Sequence, residues 1–168
     1  MMTTFFVQMN KMDAGASRPD GIEKTEVKKL GILGAGVMGG GIAFAAAKVG
    51  IDVVLKDLNQ DNADKGKAYA LAACERSRRI DEEQAGQILA RIHPTAEVSD
   101  LAGCDLVIEA VFENRELKAS VVPEAEGKLK RGAIMSSNTS TLPITGLSKY
   151  VKRPKDFIGV HFFSPVDK

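Results

Sequence analysis

The chain has 168 residues, 44% hydrophobic and 27% charged, enough to bury one core. Its 23 basic and 22 acidic side chains leave a net charge of +1, so there is no overall positive field to attract a nucleic acid or another polyanion. No apolar run approaches the roughly 20 residues of a membrane span, no secretory signal is expected from residues 1–12, and Cys74 and Cys104 lack metal-ligand or CxxC spacing, which predicts two reduced, partly buried thiols and no metal site.

Residues 1–26 mix a short apolar patch (Phe5, Phe6, Val7) with glycine, proline and charge, have no sustained period, and are predicted to be a linker. From residue 27 to 168 short apolar runs alternate with helical segments. A buried strand is expected over Lys29–Leu33, stopping at Gly34, and an alanine-rich helix over 38–49, closed by Gly50 in a left-handed conformation. A second strand over Asp52–Lys56 precedes a helix capped by Asn59 or Asp61 and running to about residue 79. Asp81 with Gln84 signals the cap of a third helix. A short segment over Ile92–Thr95, an apolar run over 106–111 interrupted by Glu109, a helix over 114–130, and strands over 133–136 and 157–162 complete the pattern. These elements predict an α/β domain with a doubly wound, mostly parallel sheet of the Rossmann type.

The first strand leads into GAGVMG, in which Gly34, Gly36 and Gly39 form GxGxxG around Val37 and Met38. Gly34 permits the tight turn, Gly36 lets the backbone approach a pyrophosphate, and Gly39 lets the helix pack on the strand. The phosphate then sits on unpaired N–H groups at the positive end of the helix dipole. A glycine-rich turn used for packing alone is the alternative. Asp57 follows the second strand, 21 residues beyond Gly36, where a carboxylate accepts both hydroxyls of an adenine ribose; a plain helix-capping role is its alternative. Leu58, Asn59 and Gln60 offer no arginine for a 2′-phosphate, so NAD is favoured over NADP.

Further on the chain reads VIEAVFEN, SSNTSTLPITGL and FIGVHFFSPVDK. Together with GAGVMGGGIA and the Lys56–Asp57 pair, these segments closely resemble the 3-hydroxyacyl-CoA dehydrogenases, in family order, over residues 27–168. HFFSPVDK, with serine after HFF, resembles the multifunctional branch, whose members carry an enoyl-CoA hydratase region upstream. The TTFF and SRPDG pieces are similar to the connection between those regions, so a preceding hydratase domain is expected.

The resemblance implies NAD-dependent oxidation of an (S)-3-hydroxyacyl-CoA to the 3-ketoacyl-CoA in fatty-acid β-oxidation. It makes His161 the base for the hydroxyl proton, a role suited to an imidazole whose ordinary pKa is about 6.5. Ser140 is implied as the hydrogen-bond partner of the substrate oxygen, facing the nicotinamide. Glu113 and Lys118 match positions contacting the cofactor's ribose and carboxamide side, although residue type alone reads both as solvated groups at a helix start. Ser164 stands where the monofunctional branch has asparagine in contact with cofactor.

Without the flanking motif His161 would read as a structural histidine, as His93 does. Ser136, Ser137 and Thr141 read as turn or cap residues, and Asn138 as a stiffener of their loop. The family also implies a glutamate beyond Lys168 that orients the histidine, and a helical second domain that covers the acyl-CoA. A homodimer or a thiolase-containing complex follows from it too, in the cytoplasm of a bacterium or the mitochondrion of a eukaryote. Coenzyme A contacts do not carry over: Ala73 and Ile80 replace polar residues, and Arg76, Arg78 and Arg79 are either a phosphate contact or a solvated basic face. Another β-hydroxyacid dehydrogenase, or a non-catalytic NAD-binding module, remains open on the residues alone.

Overall fold

The computed structural model describes residues 7–11, 14–16 and 18–166. The TTFF piece and the last two residues lie outside them. Residues 18–28 form neither helix nor strand and are largely exposed. The ordered elements that follow are β1 (Lys29–Leu33), α1 (Val37–Lys48), β2 (Asp52–Lys56), α2 (Gln60–Arg76), α3 (Glu82–Ala90), β3 (Ile92–Thr95), β4 (Leu106–Glu109), α4 (Arg115–Glu126), β5 (Ile134–Ser137), α5 (Ile144–Leu147) and β6 (Phe157–Gly159).

The strands form one six-stranded sheet in the order β3-β2-β1-β4-β5-β6, and every pairing is parallel. Strand order reverses beside β1, which opens a crevice at the carboxyl ends of β1 and β4, the usual ligand position in a sheet of this kind. Alternation along the strands feeds two core layers. Leu30, Ile32, Val53 and Leu55 face α1, α2 and α3 with Ile42, Phe44 and Ala70. Leu33, Val54, Val107 and Met135 face the opposite layer with Leu101, Val122 and Ala125. Parallel strands covered on both faces are largely apolar, as β1 and the centre of β2 are, while β4 and β5 bury Glu109, Ser136 and Ser137.

The helix starts obey local chemistry. Asn59 accepts from the Asn62 N–H, Asp81 and Gln84 form a reciprocal capping box, and Asn114 accepts from the Leu117 N–H, each such cap being worth about 1 kcal/mol. Several ends differ from expectation. α2 stops at Arg76 because Ser77 turns extended, so Arg78 and Arg79 lie in the following turn and not on the helix, while Ala73 is buried and Ile80 packs against the first core layer. α4 stops at Glu126, β4 at Glu109 and β6 at Gly159, and β5 runs on to Ser137.

Both cysteines are fully buried rather than partly, in opposite core layers, and burial pushes the Cys104 thiol up to about 11. Among the described residues no helix is long and apolar enough to cross a membrane, and no cluster of three or more His, Cys, Asp or Glu could hold a metal ion.

Candidate functional site

β1 ends in a turn that the sequence makes tight. Gly34 has φ +96°, and a Cβ there would stand 2.7 Å from the Ala110 carbonyl oxygen, so no other residue fits without moving β4's extension. Gly39 lies directly over the Gly34 carbonyl, which a Cβ would strike; this contact lets α1 start hard against β1. Gly36 is the N-cap of α1 and makes no side-chain cap, and a Cβ on it would meet no described atom within 4 Å. The first turn of α1 also carries no acidic residue. Its first-turn N–H groups and dipole therefore meet no acid of their own helix, and the space over Gly36 is open, which suits the binding of a phosphate. Val37 is exposed and Met38 half-buried at that rim.

Asp57 stands at the tip of β2, beside this turn. Its Oδ2 accepts from the Ala35 N–H at 2.6 Å, and its Oδ1 from the Leu58 N–H at 2.6 Å and from Asn62 Nδ2 at 3.3 Å. A carboxylate has about four acceptor directions, so the group fixes the glycine turn and keeps capacity for a ligand hydroxyl.

Across the crevice, Glu113 gathers the loop that follows β5. Its Oε1 accepts from Thr139 Oγ1 at 2.5 Å, the Ser140 and Thr141 N–H groups at 2.9 Å each, and Thr141 Oγ1 at 3.1 Å. Its Oε2 pairs with Lys118 Nζ at 3.2 Å. Burial pushes the Glu113 carboxyl up, but the hydrogen bonds from Thr139, Thr141 and Lys118 outweigh it and hold the group down at about 2.

Lys118 is not the solvated residue its type suggests: it is 1% exposed, with Nζ 2.7 Å from Glu109 Oε1. Ser136 and Ser137 are not turn residues but buried members of β5, donating to the Val107 carbonyl and to Glu109 Oε2 respectively. Glu109 itself was not singled out by sequence reasoning, though an acid inside an otherwise apolar strand was its signal.

Asn138 does tie its loop down, since Oδ1 accepts from the Phe162 N–H at 2.8 Å. That bond links the segment after β5 to the segment after β6. It brings Ser140 Oγ to 3.0 Å from His161 Nε2, two side chains 21 positions apart in sequence. Both are exposed, as is Ser164. His93 lies apart, exposed on the edge strand β3. Glycine turn, Asp57, Glu113, Ser140 and His161 thus all stand at the carboxyl ends of strands.

Residues 29–168 match the family model of the 3-hydroxyacyl-CoA dehydrogenase NAD binding domain. The chain belongs to this family. Among relatives of this NAD-binding domain, the fatty acid oxidation complex subunit alpha of Idiomarina loihiensis is 45% identical over 147 residues, covering 85% of this chain and 20% of that protein. The subunit of the same description from Psychrobacter sp. is 41% identical over 146 residues, with the same coverage. The crystal structure of (S)-3-hydroxybutyryl-CoA dehydrogenase from Ralstonia eutropha superposes with TM-score 0.81 at 38% identity, covering 84% of this chain and 51% of that one. The chain therefore spans about a fifth of the first relatives and about half of the Ralstonia dehydrogenase. Its doubly wound sheet is the family's NAD-binding domain and its cofactor is NAD, which the open cradle at Gly36 and the acid at Asp57 fit.

Proposed function

We propose that this dehydrogenase domain holds NAD and the proton-transferring histidine for oxidation of (S)-3-hydroxyacyl-CoA in fatty-acid β-oxidation. The contact between Ser140 Oγ and His161 Nε2, 3.0 Å at the carboxyl edge of the sheet, carries the reading. NAD bound over the glycine turn and Asp57 would supply the acceptor for the hydride that leaves the substrate's C3. His161 takes the hydroxyl proton at Nε2 as the carbonyl forms, and returns one in the reverse direction. Ser140 donates to the same substrate oxygen and so holds it within reach of the ring.

The N–H groups of Gly36, Val37, Met38 and Gly39, beyond the turn that Gly34 permits, take the pyrophosphate, Asp57 takes the adenine ribose and repels a 2′-phosphate, and Glu113 and Ser164 border the nicotinamide side, with Lys118 buried behind Glu113. The acyl-CoA is held with the help of a further helical domain. Relatives described as subunits of a fatty acid oxidation complex support a multifunctional parent; hydratase activity, a cytoplasmic location and a homodimeric or thiolase-containing assembly belong to the same proposal.

The test is NADH-dependent reduction of acetoacetyl-CoA by the complete polypeptide. His161→Gln is expected to lower kcat by about 10²–10⁴-fold while leaving NAD affinity nearly unchanged, and Ser140→Ala to lower it less. Turnover near the wild-type rate in the His161 variant would remove that residue from the mechanism.

A further inference from the structure

Glu109 is the ionisable residue of β4, a strand paired on both sides, and it is 0% exposed. An apolar side chain would pack such a position at less desolvation cost, so a buried carboxylate there calls for another explanation. Its partners supply one. Glu109 Oε1 accepts from the Val111 N–H at 2.8 Å and pairs with Lys118 Nζ at 2.7 Å, while Oε2 accepts the Ser137 hydroxyl proton at 2.6 Å.

Two routes leave this carboxylate and end on the same loop. Through Lys118 it reaches Glu113 at 3.2 Å, whose Oε1 receives the Ser140 and Thr141 N–H groups. Through Ser137 it reaches Thr139: the Ser137 proton is committed to Glu109, so its Oγ lone pairs are free to accept the Thr139 N–H at 3.3 Å. The backbone on both sides of Ser140 is therefore referenced to one buried charge. Ser140 Oγ in turn touches His161.

We propose that Glu109 is a positioning residue, acting through Lys118–Glu113 and through Ser137 to hold the 139–141 loop so that Ser140 meets His161. The inference rests on the reading of Ser140 and His161 given above. A glutamine at position 109 would leave Lys118 one carboxylate instead of two. Its amide also cannot take the Ser137 proton through nitrogen, so the hydroxyl loses its fixed direction. Strand packing would be kept, because the two side chains have the same shape.

The experiment is amide hydrogen exchange of the chain, residue by residue, for Glu109→Gln. The expected result is exchange faster by about tenfold or more at Thr139, Ser140 and Thr141, with Ile32 and Leu55 in the sheet core within about threefold of wild type. Where the single variant fails to fold, Glu109→Gln combined with Lys118→Met removes both buried charges together and is expected to give the same local pattern. Wild-type protection at 139–141 in a folded variant, or a uniform rise across the sheet, would overturn the proposal.

In the complete polypeptide Glu109→Gln should lower kcat by about tenfold while KM for the acyl-CoA stays within about twofold. A kcat equal to wild type would also overturn it. Absence of turnover in the wild type would instead defeat the proposed function, and the exchange result would still decide the role of Glu109 on the loop.

Discussion

Replacing Asp57 by asparagine keeps the shape of the side chain and removes its charge. In the wild type both oxygens are in use, Oδ2 by the Ala35 N–H and Oδ1 by the Leu58 N–H, each at 2.6 Å. Asparagine has one oxygen, so its amide nitrogen must face one of these two donors, and that bond is lost. Hydrogen bonds to a charged acceptor contribute roughly 1.5–3 kcal/mol against about 1 for neutral ones. Asp57 is half-buried, so water recovers part of the loss.

The ribose hydroxyls meet the same weaker acceptor, and NAD binding should fall by about 1–3 kcal/mol, roughly 5- to 150-fold in Kd. Removal of the negative charge should at the same time raise NADP binding relative to NAD by about tenfold or more, since repulsion of the 2′-phosphate disappears. Isothermal titration with both cofactors measures the two effects. NADH emission provides a second readout, free of energy transfer from tryptophan because the chain has none. Equal affinity of the wild type for NAD and NADP would refute the role given to Asp57. So would an asparagine variant with an unchanged preference.

Gly36→Ala adds a methyl group where no described atom lies within 4 Å, so stability should change by less than about 0.5 kcal/mol while NAD affinity drops; Gly39→Ala drives the same group into the Gly34 carbonyl and should unfold the domain more readily by about 1–3 kcal/mol in urea. Loss of NAD binding without loss of stability in the Gly36 variant is the decisive pattern. Asp105 accepts from the Lys28 and Lys29 N–H groups at the entry to β1 and pairs with Lys130, which with those amides holds its carboxyl down at about 2.

A depressed carboxyl stabilises fully above its unfolded pKa, and the contribution fades as pH falls through the folded one. Asp105→Asn should therefore cost about 1–2 kcal/mol at neutral pH, with the gap to wild type closing between about pH 4 and pH 2 in urea titrations. Glu113 follows the same sign: its folded value is about 2, so protection of the Ser140 and Thr141 amides should persist well below pH 4.5 and disappear as pH approaches 2, whereas Glu113→Ala, with no acceptor, should lack that protection at every pH. Protection lost already near pH 4.5 would count against the carboxylate clamp.

Much of the fold was legible because its signals are local. Strands covered on both faces must be short apolar runs, and Asn59 and Asp81 announce helices through bonds to N–H groups only a few residues away. Element ends were less legible, since tertiary partners decide them. β5 continues through Ser136 and Ser137 although serines at that point read as a turn. Their hydroxyls find the Val107 carbonyl and Glu109 on the neighbouring strand, 29 and 28 positions away. Lys118 looks like a solvated lysine for the same reason: its partner Glu109 is buried on β4, before the helix begins.

The candidate site divides along the same line. Its cofactor half was readable from spacing, because a strand, a glycine turn and a helix N-terminus are contiguous, and Asp57 follows on the next strand. Its catalytic half was readable only through resemblance. No periodicity places Ser140 beside His161, because their meeting depends on β6 lying next to β5 in one register, Ser137 against Gly159. β6 is a three-residue edge strand with Ile158 exposed, so its apolar burial is small. A slip of one residue would turn alternate side chains to the other face of the sheet. What pins the register is polar and long-range: the Val160 N–H to the Ser137 carbonyl, and Asn138 Oδ1 to the Phe162 N–H. Residues outside the proposed catalytic pair therefore fix the distance between Ser140 and His161.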